Sequence, residues 1–192
     1  MAAPIALVVG LGNPGDKYDR TRHNVGFWFL DALAERYQTS FRHQSKLNGE
    51  LASARSANGP FYLAKPTTFM NLSGNCVSAV ANYYRIEPAN VLVVHDELDL
   101  DAGTVRLKIG GGHGGHNGLR DITQHIGKDF ARLRIGVGDP AHPKRGANFV
   151  LSVPPAAQME AIESAMQSVL GEFDAVLNGD IQKAMNTFNR RA

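Results

Sequence analysis

Polar side chains follow several predicted strands, at the point where each strand ends. Histidine, aspartate and asparagine supply them: Asn13, His23, Asn71, His95–Asp96 and His116–Asn117. In open α/β sheets, ligand sites form outside the carboxyl ends of the strands. An uncharged imidazole is the natural general base near pH 7, and a carboxylate at its other nitrogen fixes the tautomer and stabilises the imidazolium. The set therefore indicates a site for acid–base chemistry.

Each of these residues also has a purely structural interpretation. Asn13 and Asn71 are typical of turns and helix caps, Asp96 of turns, and His23 of a loop side chain bonded to backbone. For any one residue alone, this interpretation is the stronger. Five such positions at one end of a sheet favour a functional site.

The spacing G-x-G-x-x-G occurs twice, at Gly10, Gly12, Gly15 and at Gly110, Gly112, Gly115. In a dinucleotide-binding protein these glycines open a helix that holds the pyrophosphate, and an acid follows about 20 residues later. Here Pro14 and a polar stretch follow the first copy, and Asp31 lies inside a predicted helix. The second copy has no suitable acid. We therefore expect no nucleotide cofactor, and interpret the first glycines as turning the chain sharply off its strand.

Metal and covalent chemistry have less support. A metal-dependent hydrolase using His95, Asp96, His113 and His116 is an alternative, but the H-G-G-H spacing does not place two rings on one face. The sequence contains no cysteine cluster and no H-E-x-x-H pattern. Cys76, the only cysteine, lies inside a predicted helix without a local basic group. We expect no metal, no organic cofactor and no covalent nucleophile.

Strand and helix signals alternate along the chain. Residues 5–9 form a continuous apolar run, and Asn58-Gly59 predicts a hairpin between two further strands. Later strands are predicted from NVLVVHDE, from the alternating TVRLKIG and from ARLRIGV, and helices over about 24–38, 72–85 and 117–127, with Asn117 near the N-cap of the last. The remainder is helical, with methionine and phenylalanine stripes expected in the core. This order predicts a single α/β domain over residues 1–192, with a mixed, mostly parallel β-sheet flanked by helices and a helical C-terminal segment.

Bulk composition predicts a cytoplasmic protein of one domain. The 192 residues are 43% hydrophobic and 20% charged, which is ordinary for a globular chain. A single cysteine suits a reducing compartment. No apolar run approaches the roughly 18 residues of a membrane span, and the N-terminus does not resemble a signal peptide.

Charge is unevenly distributed, although the net charge is only +2. Between Arg106 and Arg145 there are eight Lys/Arg and three acids, whereas Gly146–Gln182 contains five acids and no Lys or Arg. A basic half-surface would attract a polyanion by neutralising phosphates and releasing counterions. A solvated face of uneven composition remains an equal alternative.

Four long strings resemble, in order, the signature of the bacterial-type peptidyl-tRNA hydrolases. They are VGLGNPGDKYDRTRHNVGF (9–27), KPTTFMNLSG (65–74), HDELDLDAGTVRLKIGGGHGGHNGLRDI (95–122) and RLRIGVG (132–138). The resemblance covers most of residues 5–150. It implies an enzyme that hydrolyses the ester between a peptide and the 3′ ribose of tRNA, recycling tRNA from aborted translation. It also implies a monomer that needs no cofactor.

The resemblance assigns roles by position. His23 would be the general base, Asp96 the carboxylate that orients it, and Asn13 a group that recognises the blocked, peptide-bearing substrate. Asn71 or Asn117 could donate to the oxyanion, and the residues do not decide between them. The other implied contacts to the substrate or its tRNA end are Tyr18, Phe69, Met70, His116, Arg106, Lys108 and Arg134.

The chain departs from the family pattern in one segment, and one other function stays open. Asp139 stands where the family often has a basic or neutral group, and the stretch 140–150 does not match. An RNA-binding module without activity would keep the basic residues but would not need His23 and Asp96. Both catalytic positions are filled, which favours the enzyme.

Overall fold

One mixed sheet of seven strands organises the protein, whose computed structural model describes residues 3–138 and 147–189. In chain order the strands are β1 Leu7–Gly10, β2 Arg42–Gln44, β3 Gly49–Ser56, β4 Gly59–Pro66, β5 Val91–Asp101, β6 Val105–Ile109 and β7 Ala131–Gly138. They lie in the order β2-β3-β4-β1-β5-β7-β6. The contacts between β4, β1, β5 and β7 are parallel, whereas β2–β3, β3–β4 and β6–β7 are antiparallel. The predicted α/β class is confirmed, with the parallel part of the mixed sheet at its centre.

One segment of the chain considered in the sequence lies outside the described ranges. Asp139 and residues 140–146 lie outside the described ranges, and so do Lys144 and Arg145 of the basic segment. The described chain resumes in a short helix at Ala147.

Helices cover both faces of the sheet. They are α1 Val25–Arg36, α2 Ser73–Tyr84, α3 Asn117–Ile126, α4 Ala147–Val150, α5 Ala156–Gly171, α6 Phe173–Leu177 and α7 Ile181–Phe188. Successive side chains of β1 point to opposite faces of the sheet, so the hydrophobic core forms two clusters. Val8 packs with α1 and the C-terminal helices on one face, and Leu7 and Val9 pack with α2 and α3 on the other. The C-terminal stripes, including Phe173 and Phe188, are buried in the first cluster, as predicted. No helix within the described ranges has the length and apolarity of a membrane span.

Helix ends differ slightly from the predicted ones, for local reasons. Gln38 and Arg85 adopt left-handed φ values of 53° and 54°. These values end the helical conformation shortly after α1 and directly after α2. α3 is capped by His116 rather than by Asn117: the His116 side chain accepts hydrogen bonds from the backbone N–H groups of Gly118 and Leu119. Asn117 is the first helical residue.

The glycines after β1 have two different structural roles. Gly15 adopts φ 105°, which favours glycine and fits the predicted turn. Gly10 and Gly12 do not have such φ values; a Cβ on Gly10 would overlap the carbonyl oxygen of Gly26, and one on Gly12 would lie 2.7 Å from the Phe27 ring. These two glycines therefore allow α1 to pack closely on β1, and of the three only Gly15 has the left-handed φ that favours glycine. α1 begins only at Val25, so the first glycine motif does not open an α-helix.

Candidate active site

An open cleft of about 710 Å³ lies beyond the end of β1 and along β5 and β7. Ten of the predicted site residues line it: Asn13, His23, Phe69, Met70, Asn71, Asp96, Lys108, His116, Asn117 and Arg134. Tyr18 and Arg106 are not among the described residues of its wall. Residues far apart in the chain meet there because β1 and β5 are neighbours in the sheet.

His23 and Asp96 are hydrogen-bonded to each other. His23 belongs to the one-turn helix Arg22–Asn24 before α1, and Asp96 lies on β5. The distance from His23 Nδ1 to Asp96 Oδ2 is 2.8 Å. A carboxylate can only accept hydrogen bonds, so Nδ1 carries the proton and Nε2 keeps its lone pair. A general base requires this tautomer.

Asp96 also accepts a hydrogen bond from a second histidine. His116 Nε2 lies 2.8 Å from Asp96 Oδ1, while His116 Nδ1 accepts from the N–H groups of Gly118 and Leu119 at 3.1 and 3.3 Å. Because Nδ1 is the acceptor, the proton must be on Nε2. The Nε2 proton of His116 therefore faces Asp96, and this orientation of the ring is determined by the start of α3.

Burial and these two imidazoles act in opposite directions on Asp96. Burial raises the pKa of its carboxyl, but His116 and His23 more than offset this and hold the pKa below its usual range. The neighbouring His95 is 2% exposed; burial, followed by His116, lowers its pKa to about 3. His95 Nδ1 is 2.8 Å from the backbone oxygen of Asp96. The site thus combines an ionised aspartate with an uncharged His95.

Three potential metal ligands, His23, Asp96 and His116, lie within 4.8 Å of one another. This set differs from the one considered in the sequence, which included His95 and His113. A metal on His116 Nε2 would need that nitrogen free of its proton, yet Nδ1 faces two backbone N–H donors and cannot take the proton. The cluster is suited to a carboxylate that accepts two hydrogen bonds, not to a metal centre.

Asn13 is held in one orientation. The Asn24 amide donates to the Asn13 carbonyl at 3.0 Å and accepts from the Asn13 N–H at 2.9 Å. Asn13 Oδ1 accepts from the Met70 N–H at 2.7 Å. Its oxygen is thus engaged, which leaves Nδ2 as the atom that can donate to a carbonyl in the cleft. Sequence reasoning assigned no role to Asn24, although it lies in the string 9–27, directly after His23.

The remaining predicted contacts form the rim of the cleft. Asn71 and Asn117 are exposed, on the one-turn helix Met70–Leu72 and at the start of α3. Phe69 is 57% exposed, and its ring centroid lies 6.4 Å from that of Tyr18, edge to face. Tyr18 therefore supports Phe69 from outside the cleft wall. An exposed aromatic face at a cleft mouth can stack on a base or a side chain.

Basic residues cluster at the β6–β7 edge. Antiparallel pairing puts Arg106 opposite Arg134 and Lys108 opposite Arg132. Arg134 donates to Glu97 Oε1 at 2.9 Å, whereas Arg132 donates to the carbonyls of Gly112 and Gly110 at 2.6 and 2.5 Å. Cations directly opposite one another repel, so a bound polyanion would stabilise the pairs. Sequence reasoning counted Arg132 but missed its role in holding the glycine loop.

Arg22, next to His23, anchors the opposite wall of the cleft. Its guanidinium donates to Ser152 Oγ at 2.6 Å and to Gln158 Oε1 at 2.9 Å, and lies 4.1 Å from the Phe149 ring centroid. The same segment supplies wall residues from α4. The sequence carries no signal for this contact, because its partners are more than 120 positions away.

Fold and site together define an α/β protein with a hydrolase-type histidine–carboxylate pair in an open cleft. The family profile described as peptidyl-tRNA hydrolase matches residues 7–192. The chain is 49% identical to the peptidyl-tRNA hydrolase of Coxiella burnetii (strain RSA 331 / Henzerling II) over 186 residues, covering 96% of this chain and 97% of that one. It is also 49% identical to that of Francisella tularensis subsp. novicida (strain U112), with coverage of 97% and 98%.

A solved structure agrees with this similarity. The crystal structure of peptidyl-tRNA hydrolase from Acinetobacter baumannii matches with a TM-score of 0.92 and 42% identity, covering 97% of this chain and 95% of that one. The chain belongs to the peptidyl-tRNA hydrolase family. It is a hydrolase that acts on the ester bond of peptidyl-tRNA.

Proposed function

We propose that His23 and Asp96 activate a water molecule that attacks the ester carbonyl, without a covalent intermediate. The observation that carries this proposal is the 2.8 Å contact between His23 Nδ1 and Asp96 Oδ2, which leaves Nε2 to accept a proton from water. The water oxygen bonds to the carbonyl carbon as Nε2 takes the proton. The intermediate then collapses, the 3′ oxygen of the ribose leaves with that proton, and the peptide departs as a carboxylic acid that gives its remaining proton to bulk water.

No described residue offers a better nucleophile than this water. Cys76 is fully buried in α2, and burial raises the pKa of its thiol to about 12. An ester has a good leaving group, so activated water suffices. The amide of Asn71 or Asn117 would stabilise the oxyanion, a contribution of about 3 kcal/mol for a well-placed donor. Asn13 Nδ2 would bind a carbonyl of the peptide.

We propose that the acceptor end of the tRNA lies along the basic β6–β7 edge. Lys108 and Arg134 line the cleft, and Arg106 extends the same basic cluster outside it. Phe69, with Tyr18 behind it, would stack on the substrate near the ester. We further propose that residues 1–192 act as one domain and as a monomer, and that the enzyme works in the cytoplasm, where ribosomes produce peptidyl-tRNA.

The test is peptide release from peptidyl-tRNA by wild type, His23→Ala and His43→Ala, with and without EDTA. His43 lies exposed on β2 and serves as the matched control. We expect His23→Ala to lose roughly 10²–10⁴-fold in kcat, the range for general-base catalysis, with His43→Ala and EDTA without effect. Full activity in His23→Ala would overturn the base assignment, and loss in EDTA would favour the metal alternative. A trapped acyl-enzyme would overturn direct attack by water.

A further inference from the structure

A second groove, of about 420 Å³, shares one wall residue with the cleft. Asn13 belongs to the walls of both. From Asn13 the groove runs between the start of α1 on one side and the start of β3 and end of β4 on the other, with Asp19, Trp28 and Lys65 among its wall residues. The two cavities thus lie on either side of the residue that the proposed function assigns to a peptide carbonyl.

This groove lies on the opposite side of β1 from the basic edge. In the sheet, β4 is one neighbour of β1, and β5, followed by β7 and β6, lies on the other side. A substrate whose ester lies beside His23, with tRNA phosphates at the β6–β7 edge, has its peptide on the remaining side. That side is the one on which the groove opens.

The charges of the groove are the reverse of those at the basic edge. Asp19, Asp31 and Glu50 line it with a single base, Lys65. Lys65 Nζ is 2.6 Å from an Asp31 oxygen and 3.6 Å from one of Glu50, so it offsets one of the three acids. The Asp19 carboxylate has no ion pair among the described residues. Phosphodiesters are disfavoured here, whereas a cation is attracted.

Aromatic rings complete the groove. Phe27 and Trp28 form part of its wall on α1. The Lys65 ammonium already lies 5.9 Å from the centroid of the Phe27 ring, so this wall suits an alkyl-ammonium group. Trp28 is fixed by the hydrogen bond from its Nε1 to the Asp19 carbonyl at 2.6 Å.

The groove is within reach of a short peptide. Asp31 follows Asn24 by seven residues, which is about 10 Å along an α-helix. An extended peptide covers about 3.3 Å per residue, so three residues counted from the ester span this distance.

We propose that this groove binds the substrate peptide upstream of the ester-linked residue and prefers basic side chains at the second and third positions. The proposal rests on the proposed function, because it takes His23 as the place of the ester. It makes Asp19 and Glu50 specificity-determining residues.

The test compares N-acetyl-tripeptidyl-tRNAs that carry Lys or Glu at the second position, with an all-alanine peptide as reference. An exposed charge pair contributes roughly 1.4- to 5-fold, so we expect wild type to prefer Lys over Glu by roughly 3- to 10-fold in kcat/KM at low salt. The ratio should move toward one in Asp19→Lys and in Glu50→Gln. Glu35→Lys changes the same charge on α1 outside the groove and should keep the wild-type ratio.

The ratio is taken within each variant, so a general loss of stability or activity cancels. A wild-type ratio of one would overturn the groove assignment, and so would a ratio that Asp19→Lys and Glu50→Gln leave unchanged. Tighter binding of uncharged tRNA by Asp19→Lys, with no change in peptide preference, would also overturn it by placing RNA in the groove. Cleavage of the all-alanine reference that depends on His23 shows that the proposed function holds even when the preference fails.

Discussion

Asp96→Asn should disable the enzyme by reversing the tautomer of His23. An asparagine side chain presents one acceptor oxygen and one donor NH2 where Asp96 presents two acceptors. His116 must keep its Nε2 proton, because its Nδ1 accepts from Gly118 and Leu119. The amide oxygen will therefore face His116, and the NH2 will face His23 Nδ1.

His23 must then accept at Nδ1 and carry its proton on Nε2, the atom that should take a proton from water. In a serine protease the same exchange lowers kcat by about 10⁴, and we expect roughly 10³–10⁴ here. Peptide release at pH 7 measures the loss, and ¹⁵N chemical shifts of the imidazole report the tautomer directly.

A second substitution separates this explanation from simple loss of charge. His116→Ser keeps an N-cap for α3 but is too short to reach Asp96, so the amide in Asp96→Asn/His116→Ser can rotate its oxygen toward His23. We expect the double variant to be roughly tenfold or more faster than Asp96→Asn alone. If the double variant is no faster while His116→Ser alone is active, the tautomer argument is wrong.

Further predictions concern stability, the cleft wall and the basic edge. Burial lowers the pKa of His95 to about 3 in the folded protein, against about 6.5 in the unfolded chain. Between these two pH values only the unfolded chain binds the proton, so the free energy of unfolding is highest above pH 6.5 and decreases as the pH falls. Urea denaturation should therefore give a free energy of unfolding about 2 kcal/mol lower at pH 4.5 than at pH 6.5. In His95→Asn this difference between the two pH values should be smaller, and an equal difference in the variant contradicts the prediction. Arg22→Met leaves buried acceptors unpaired and should cost about 2–3 kcal/mol in thermal or urea unfolding, a loss that Arg22→Lys recovers only in part because an ammonium cannot reproduce the planar fork. Lys108→Ala and Arg134→Ala should each weaken tRNA binding and reduce the slope of log K against log salt by about 0.7–0.9; an unchanged slope would remove that residue from the phosphate contacts.

Much of the fold could be predicted from local patterns. The apolar run of β1, the Asn58-Gly59 hairpin and the periodicity of α1 depend on residues close in sequence, and the structure agrees within one or two residues at most ends. The identity of the α3 cap depends instead on a distant residue. Asn117, which the sequence predicts near the N-cap, is the first helical residue, but the cap itself is His116, which is not a usual capping residue and is held by Asp96 from β5.

The sequence by itself determined the α/β class, the residue types of the site and the resemblance that led to the family. It did not determine that Asp96 serves two histidines, that Asn24 orients Asn13, or that Arg22 joins the His23 helix to the segment after α4. The tertiary structure decided these, because each depends on a side-chain hydrogen bond between residues that only the folded chain brings together. It also decided the role of Gly10 and Gly12, which are needed for the close approach of α1 to β1. Local sequence encodes torsional preference and hydrophobic period, whereas tautomers and charges at a site are fixed only when distant strands bring their donors and acceptors within about 3 Å.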